Sequence, residues 1–239
     1  VLPKVARRGD AQAAVLLDAC LEGKADGLRY AASVEALAAL FARGDPGIVA
    51  PVSRRLGHAD PGVRLAAVRT LARVGGPGNA ALLLAGLEDP DASVRGEAAE
   101  ALPALAEPGD ATALAAVAAL LGDEYADVRR AAVGALTRLE AGCSEEAIDL
   151  IGARLEDGAA QVRLTAAEAL ATFAARCAVP GGPPERIERG SADCALAAAA
   201  ARLAHEDAGV RCAAVQALAG VAPRGGQEAL ALLAERLED

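Results

Sequence analysis

The chain has 239 residues, room for one large domain or two small ones, and it is 54% apolar with only 2% aromatic side chains. With no Trp and no Met, its core must be thin and built from Ala, Leu and Val, with helices brought close by small residues instead of one thick centre. Its 33 acidic and 24 basic residues leave a net charge of −9 and only two lysines, Lys4 and Lys24, which argues against nucleic acid, whose phosphates need clustered cations.

Internal self-similarity organises the whole chain. A degenerate copy comes first: Gly27-Leu-Arg29-Tyr30-Ala-Ala-Ser-Val34-Glu-Ala-Leu37, with Tyr30 where later copies carry Arg. Then comes Asp60-Pro-Gly-Val63-Arg64-Leu-Ala66-Ala67-Val68-Arg-Thr-Leu71. The phrase returns at Val94-Arg95, Val128-Arg129, Val162-Arg163 and Val210-Arg211, each time followed by paired small residues and an Ala-Leu. From Arg64 onward the Arg spacings are 31, 34, 34 and 48. Val, Ala and Leu recur in each phrase at helical period, so each phrase is expected to be an amphipathic second helix of a hairpin.

Another helical stretch precedes each phrase, as at Ala80–Leu87, Ala111–Leu121, Glu145–Leu155 and Cys194–Ala204. Asp10, Asp45, Asp110 and Ser144 stand where N-caps are expected, and Pro46 and Pro61 where a first turn tolerates proline. Gly75-Gly76-Pro77-Gly78, Pro108-Gly109 and Gly225-Gly226 mark the joins. The reading is a single all-α domain over residues 1–239, with hairpins at about 10–42, 45–74, 79–106, 110–140, 144–176 and 193–222. A half-repeat follows at 226–239, and a loop is inserted at 178–192. A pair of about 34 residues cannot bury its own apolar face, so neighbouring pairs must stack into an α-solenoid. The last pair lacks its second helix, so the expectation is that the chain continues or that something covers that end.

This phrase, an acidic turn followed by Val-Arg-x-Ala-Ala and Ala-Leu, resembles the HEAT-repeat family, in particular its bilin-lyase-like subclass, over nearly the whole chain. The resemblance implies a right-handed superhelix of about six HEAT-type hairpins plus one terminal helix. It also implies a structural ladder between turn Asp and second-helix Arg. By match, Arg64, Arg95, Arg129, Arg163 and Arg211 take the Arg role, and Asp89, Asp123 and Asp157, six residues before their Arg, take the Asp role. His58 and His205 occupy that Asp slot in two repeats, with Asp60 and Asp207 two residues later, so the ladder there is broken or rerouted.

Nothing in this pattern asks for catalysis. The two histidines share a repeat slot four units apart, on the order of 40 Å at helix-packing distances, so no shared metal ion is expected. His205-Glu206 is similar to the His-Glu pairs of HEAT-type deoxyhypusine hydroxylases, but that family needs several pairs and this sequence has one. No Ser or Cys has a base at hand, so no nucleophile is expected, and no cofactor. The five cysteines, Cys20, Cys143, Cys177, Cys194 and Cys212, form no C-x-x-C. They read as reduced, mostly buried thiols in an intracellular compartment, cytoplasm or organelle interior, with a Cys177–Cys194 pair left open. No run of about 18 apolar residues suggests membrane insertion. The chain starts at Val1 without a leader pattern, which suggests processing or a piece of a longer chain.

Two features are candidates for protein binding. Offsets of one, five and nine after the motif Arg should point away from the packed stripe, which selects Leu65, Arg69, Arg73, Glu100, Arg130, Arg138, Leu164 and Glu168. The insertion supplies Arg186, Ile187 and Arg189. The expected function is therefore a non-catalytic protein-binding scaffold or adaptor within a larger assembly. The alternative implied by the subclass is a tetrapyrrole-handling protein, which would draw on the scattered rings of Tyr30, Phe41, Tyr125 and Phe173.

Overall fold

A computed structural model describes residues 41–142, 144–177 and 191–221, with the side chains of 177 and 191–193 excepted. The expected hairpin at 10–42, the half-repeat at 226–239, the insertion with Arg186, Ile187 and Arg189, and Asp10, Cys20, Tyr30 and Cys143 lie outside the described residues, Phe41 and Ala42 apart. The fold is all-α: among the described residues there are ten α-helices and no strand. They fall into two compact units, 1–107 and 108–239.

In the first unit, α1 (Pro46–Arg54) and α2 (Pro61–Val74) form one hairpin, and α3 (Ala81–Leu84) and α4 (Ala92–Ala101) the next. Asp45 and Asp60 cap α1 and α2 by accepting the N–H of Gly47 and Gly62, and Pro46 and Pro61 open those helices, where a missing N–H costs nothing. Second helix α2 packs on second helix α4. Between them the small residues Ala67, Ala98 and Ala99 are buried beside Val68, Leu71 and Leu102. Burial of each such leucine contributes roughly 2 kcal/mol, which no hairpin collects alone.

The second unit repeats the scheme with α5 (Ala111–Ala119), α6 (Ala126–Leu139), α7 (Glu145–Ala153), α8 (Ala160–Cys177), α9 (Ser191–Ala200) and α10 (Ala208–Val221). Its second helices pack in the order α6, α8, α10, and first helix α7 packs on first helix α9. Asp110 and Ser144 cap α5 and α7. Phe173, Leu170, Leu136, Ile148, Ile151 and Leu155 fill the centre. Buried Ala131, Ala132, Ala166, Ala167, Ala213 and Ala214 let the backbones approach. Thr137 is buried too, its hydroxyl returned to the Val133 carbonyl at 2.7 Å.

The first helices depart from the sequence reading in one respect. Their last turns at 55–57, 85–88, 120–122 and 154–156 are 3-10. Tightening the last turn satisfies terminal carbonyls and delivers the chain into an extended residue, His58, Asp89, Asp123 or Asp157, that starts the reversal. Two hairpin bases are also clasped. Gly44 N–H donates to the Val74 carbonyl and Gly109 N–H to that of Leu139, both at 2.7 Å. Gly44 and Gly109 have φ of 81° and 83°, which side chains other than glycine adopt at a cost.

Candidate functional site

The repeat slot that ends each first helix organises the charges. At Asp89, Asp123 and Asp157 one carboxylate oxygen accepts the backbone N–H two residues on, from Asp91, Tyr125 and Ala159, at 2.9 Å each. This short-range bond holds the turn open for the second helix. His58 and His205 do the same through Nδ1, which accepts from Asp60 N–H at 3.0 Å and Asp207 N–H at 3.1 Å. The ring nitrogen stands in for the carboxylate oxygen in the turn, although it brings no negative charge.

Two of the motif Arg residues, Arg64 and Arg129, bridge two turns. Nη1 of Arg64 donates to the carbonyls of His58 and Ala59, six and five residues back. Its Nε and Nη2 donate to Oδ2 and Oδ1 of Asp89 in the following hairpin, both at 2.7 Å. Arg129 repeats this arrangement with the carbonyls of Asp123 and Glu124 and the carboxylate of Asp157. The fork fits the carboxylate plane, and the side chains are 17% and 5% exposed, so water competes little. For Asp157 the Arg129 bond holds the carboxyl below its ordinary pKa against the penalty of burial. For Asp89 burial is the largest influence and acts upward. The Arg64 bond and the Asp91 N–H outweigh it, and the net pKa is again lowered.

Arg95, Arg163 and Arg211 make the same own-turn bonds. Their Nη1 groups donate to Asp89 and Pro90, to Asp157 and Gly158, and to His205 and Glu206 carbonyls respectively. The next slot after Arg163 holds His205, which has no carboxylate to give it.

A second Arg set went unnoticed in the sequence. Arg55, Arg154 and Arg202 stand three residues before the slots at 58, 157 and 205, a spacing visible in the repeat register. Arg154 Nη1 donates to the Leu121 carbonyl of the preceding hairpin at 2.7 Å, and Arg202 Nε lies 2.8 Å from Glu156 Oε1. Arg55 Nη1 donates to the Pro51 carbonyl at 2.9 Å. At the far end of the second helices, Arg176 donates to the Thr137 and Glu140 carbonyls and lies over the Phe173 ring at 5.7 Å, where it meets the negative end of α6.

The outward row sits on the second helices. Arg69, Arg73, Glu100, Arg138, Leu164 and Glu168 are exposed; Leu65 and Arg130 are half-buried. Leu164 is 45% exposed and Val215, on the neighbouring α10, is 40% exposed. Arg69 is tied to Glu97 across α2 and α4 at 2.8 Å. Cys212, expected in the core, is exposed: it follows Arg211 directly and therefore takes the outward offset of Leu65 and Leu164. Cys177, and with it the open Cys177–Cys194 pairing, has its side chain outside the described residues. Of the rings that tetrapyrrole handling would draw on, Phe41 and Phe173 are core residues and Tyr125 is exposed at the start of α6. Among the described residues no cluster of three or more His, Cys, Asp and Glu side chains is placed to hold a metal ion. No described helix is long and apolar enough to cross a membrane.

Comparisons with known proteins bear on this arrangement. A family model described as HEAT repeats matches residues 13–103 and again 80–171. No curated protein matches the sequence. Among solved structures, an engineered protein is 24% identical, with 92% of this chain and 96% of that chain covered and a TM-score of 0.54. A designed armadillo repeat protein in complex with the peptide (KR)4 is 21% identical, with 88% and 92% covered and a TM-score of 0.53. Human deoxyhypusine hydroxylase in complex with glycerol is 18% identical, with 88% and 96% covered and a TM-score of 0.45.

Proposed function

The chain belongs to the HEAT-repeat family, and on that premise we propose that it is a non-catalytic protein-binding scaffold or adaptor, a segment or subunit of a larger assembly. Each unit carries its own outward row on its second helices, Leu65, Arg69, Arg73 and Glu100 in the first and Arg130, Arg138, Leu164 and Glu168 in the second, and these rows are the proposed contact residues. A further contact comes from Arg186, Ile187 and Arg189 in the inserted segment.

One observation carries this reading. Leu164 and Val215 are exposed on the packed second helices α8 and α10, at offsets of one and four after the motif Arg, with Glu168 and Arg163 beside them. An apolar centre with a charged rim is the composition of a protein interface. The likeness to a designed armadillo repeat protein that holds a peptide supports a peptide segment as the partner class.

Affinity isolation with the intact chain tests the proposal. A defined protein should be retained by the wild type and lost from Leu164→Asp, with unchanged helicity by circular dichroism. Equal retention by Leu164→Asp, or no protein retained by the wild type, contradicts it. Deleting 178–192 should weaken retention; unchanged recovery removes the inserted segment from the surface.

A further inference from the structure

We propose that Arg163 receives the carboxylate of an isolated Asp or Glu side chain of a protein partner, where Arg64 and Arg129 receive one from the next hairpin. The inference rests on the protein-binding reading and adds the chemistry of one contact.

The guanidinium of Arg163 is already held in the pose of the filled rungs. Its Nη1 donates to the Asp157 carbonyl at 2.7 Å and the Gly158 carbonyl at 3.2 Å. Arg129 Nη1 makes the equivalent bonds at 2.8 and 3.1 Å. What differs is the residue opposite. His205 fills the slot, and its Nδ1 is occupied by the Asp207 N–H. A neutral imidazole has one acceptor nitrogen, so the ring has nothing left to accept from Arg163. Among the described residues no carboxylate bonds to the Nε–Nη2 edge.

Asp207 is the nearest carboxylate, and the Arg163 charge helps to lower its pKa, but no hydrogen bond joins the two. Its Oδ1 accepts Gly209 N–H at 2.6 Å and Val210 N–H at 3.3 Å as the cap of α10. Gly209 gives the guanidinium its room, since a Cβ there would overlap Nη2 of Arg163. Arg163 is half-buried, so its guanidinium is partly shielded from water. Beside it, exposed Leu164 and exposed Cys212 occupy the same outward offset on α8 and α10 and offer apolar contact to flanking partner residues. A bidentate Arg–carboxylate pair is both directional and charge-assisted. The chain's net charge of −9 repels a strongly acidic partner. The partner carboxylate therefore stands alone in a neutral or basic segment.

The test uses the full chain and a blocked tripeptide, N-acetyl-Leu-Asp-Leu-amide, whose only carboxylate is the side chain. Its Asn counterpart is the uncharged control. Arginine Nε–H signals are followed by nitrogen–proton NMR. The Arg163 signal should move saturably at roughly millimolar Asp peptide, as a single small contact allows. The Asn peptide should be about tenfold weaker, the loss expected for one charge-assisted pair. Arg64 and Arg129, already paired, should not move. His205→Asp fills the edge internally and should abolish the response, whereas His205→Asn should keep it. An Arg163 signal indifferent to the Asp peptide, an equal response to the Asn peptide, or an undiminished response in His205→Asp overturns the inference. A wild type that retains a partner equally with Arg163→Gln refutes this contact alone; a wild type that retains none refutes the binding reading beneath it.

Discussion

Arg129 and Asp157 lie 28 positions apart in sequence and meet through two parallel hydrogen bonds of 2.7 Å, Nε to Oδ2 and Nη2 to Oδ1. The bond that ties Arg129 to its own turn goes to the Asp123 carbonyl, so the residue locks one hairpin and reaches into the next. The depressed pKa of Asp157 converts this pair into a pH dependence. A carboxyl whose folded pKa lies below its unfolded value stabilises the fold above the unfolded value, and the contribution fades as pH falls through the folded one. Asp157→Asn should therefore cost about 2 kcal/mol at pH 7. The gap between variant and wild type should close below about pH 4. Urea unfolding at several pH values reads both; a gap independent of pH would contradict the assignment.

Restoring a carboxylate to the broken rung should strengthen the second unit. His205→Asp keeps an acceptor for the Asp207 N–H and gives Arg163 an ion-pair partner. The gain should be about 1 kcal/mol, seen as a Tm higher by about 3 °C. A lower Tm would mean that the imidazole supplies packing the carboxylate does not.

Gly109 sits at φ 83° and its N–H closes the base of the hairpin onto Leu139. Ala at this position must bear the left-handed conformation and a tight approach to Ala141. Gly109→Ala should cost about 1 to 2 kcal/mol by equilibrium unfolding. No loss of stability would show that the turn rearranges freely.

Inward and outward positions of one helix should part company. Leu170 is fully buried in α8 and Leu164 is 45% exposed on it. Leu170→Ala should lose about 3 kcal/mol. Leu164→Asp should change stability by less than about 0.5 kcal/mol while weakening partner retention. Comparable destabilisation by both would place Leu164 in the core.

The second helices were legible in the sequence because Val, Ala and Leu recur there at helical period, and that same period places Arg69 and Leu164 outside. The pairing of the rungs was less legible. Asp157 lies six residues before Arg163, yet its carboxylate serves Arg129 of the preceding hairpin while its carbonyl serves Arg163. Only stacking distinguishes those two roles. The 3-10 ends of the first helices left no signal in hydrophobic period, being set by how sharply the chain must reverse. His58 and His205 looked like lost rungs. What they preserve is a local acceptor, a property of one ring nitrogen that charge patterning overlooks. The contacts of Arg154 and Arg202 needed the repeat register read three residues upstream of each slot, where Gly86 and Leu120 interrupt the series.

Neighbouring hairpins are joined where Arg64 and Arg129 each span two turns. A double-mutant cycle of Arg129→Ala and Asp157→Ala, read by urea unfolding, tests this most directly. A coupling of about 2 kcal/mol is expected for two mostly buried, directly bonded groups. Effects that add to within about 0.3 kcal/mol would contradict it, because the two residues would then contribute to their own hairpins separately.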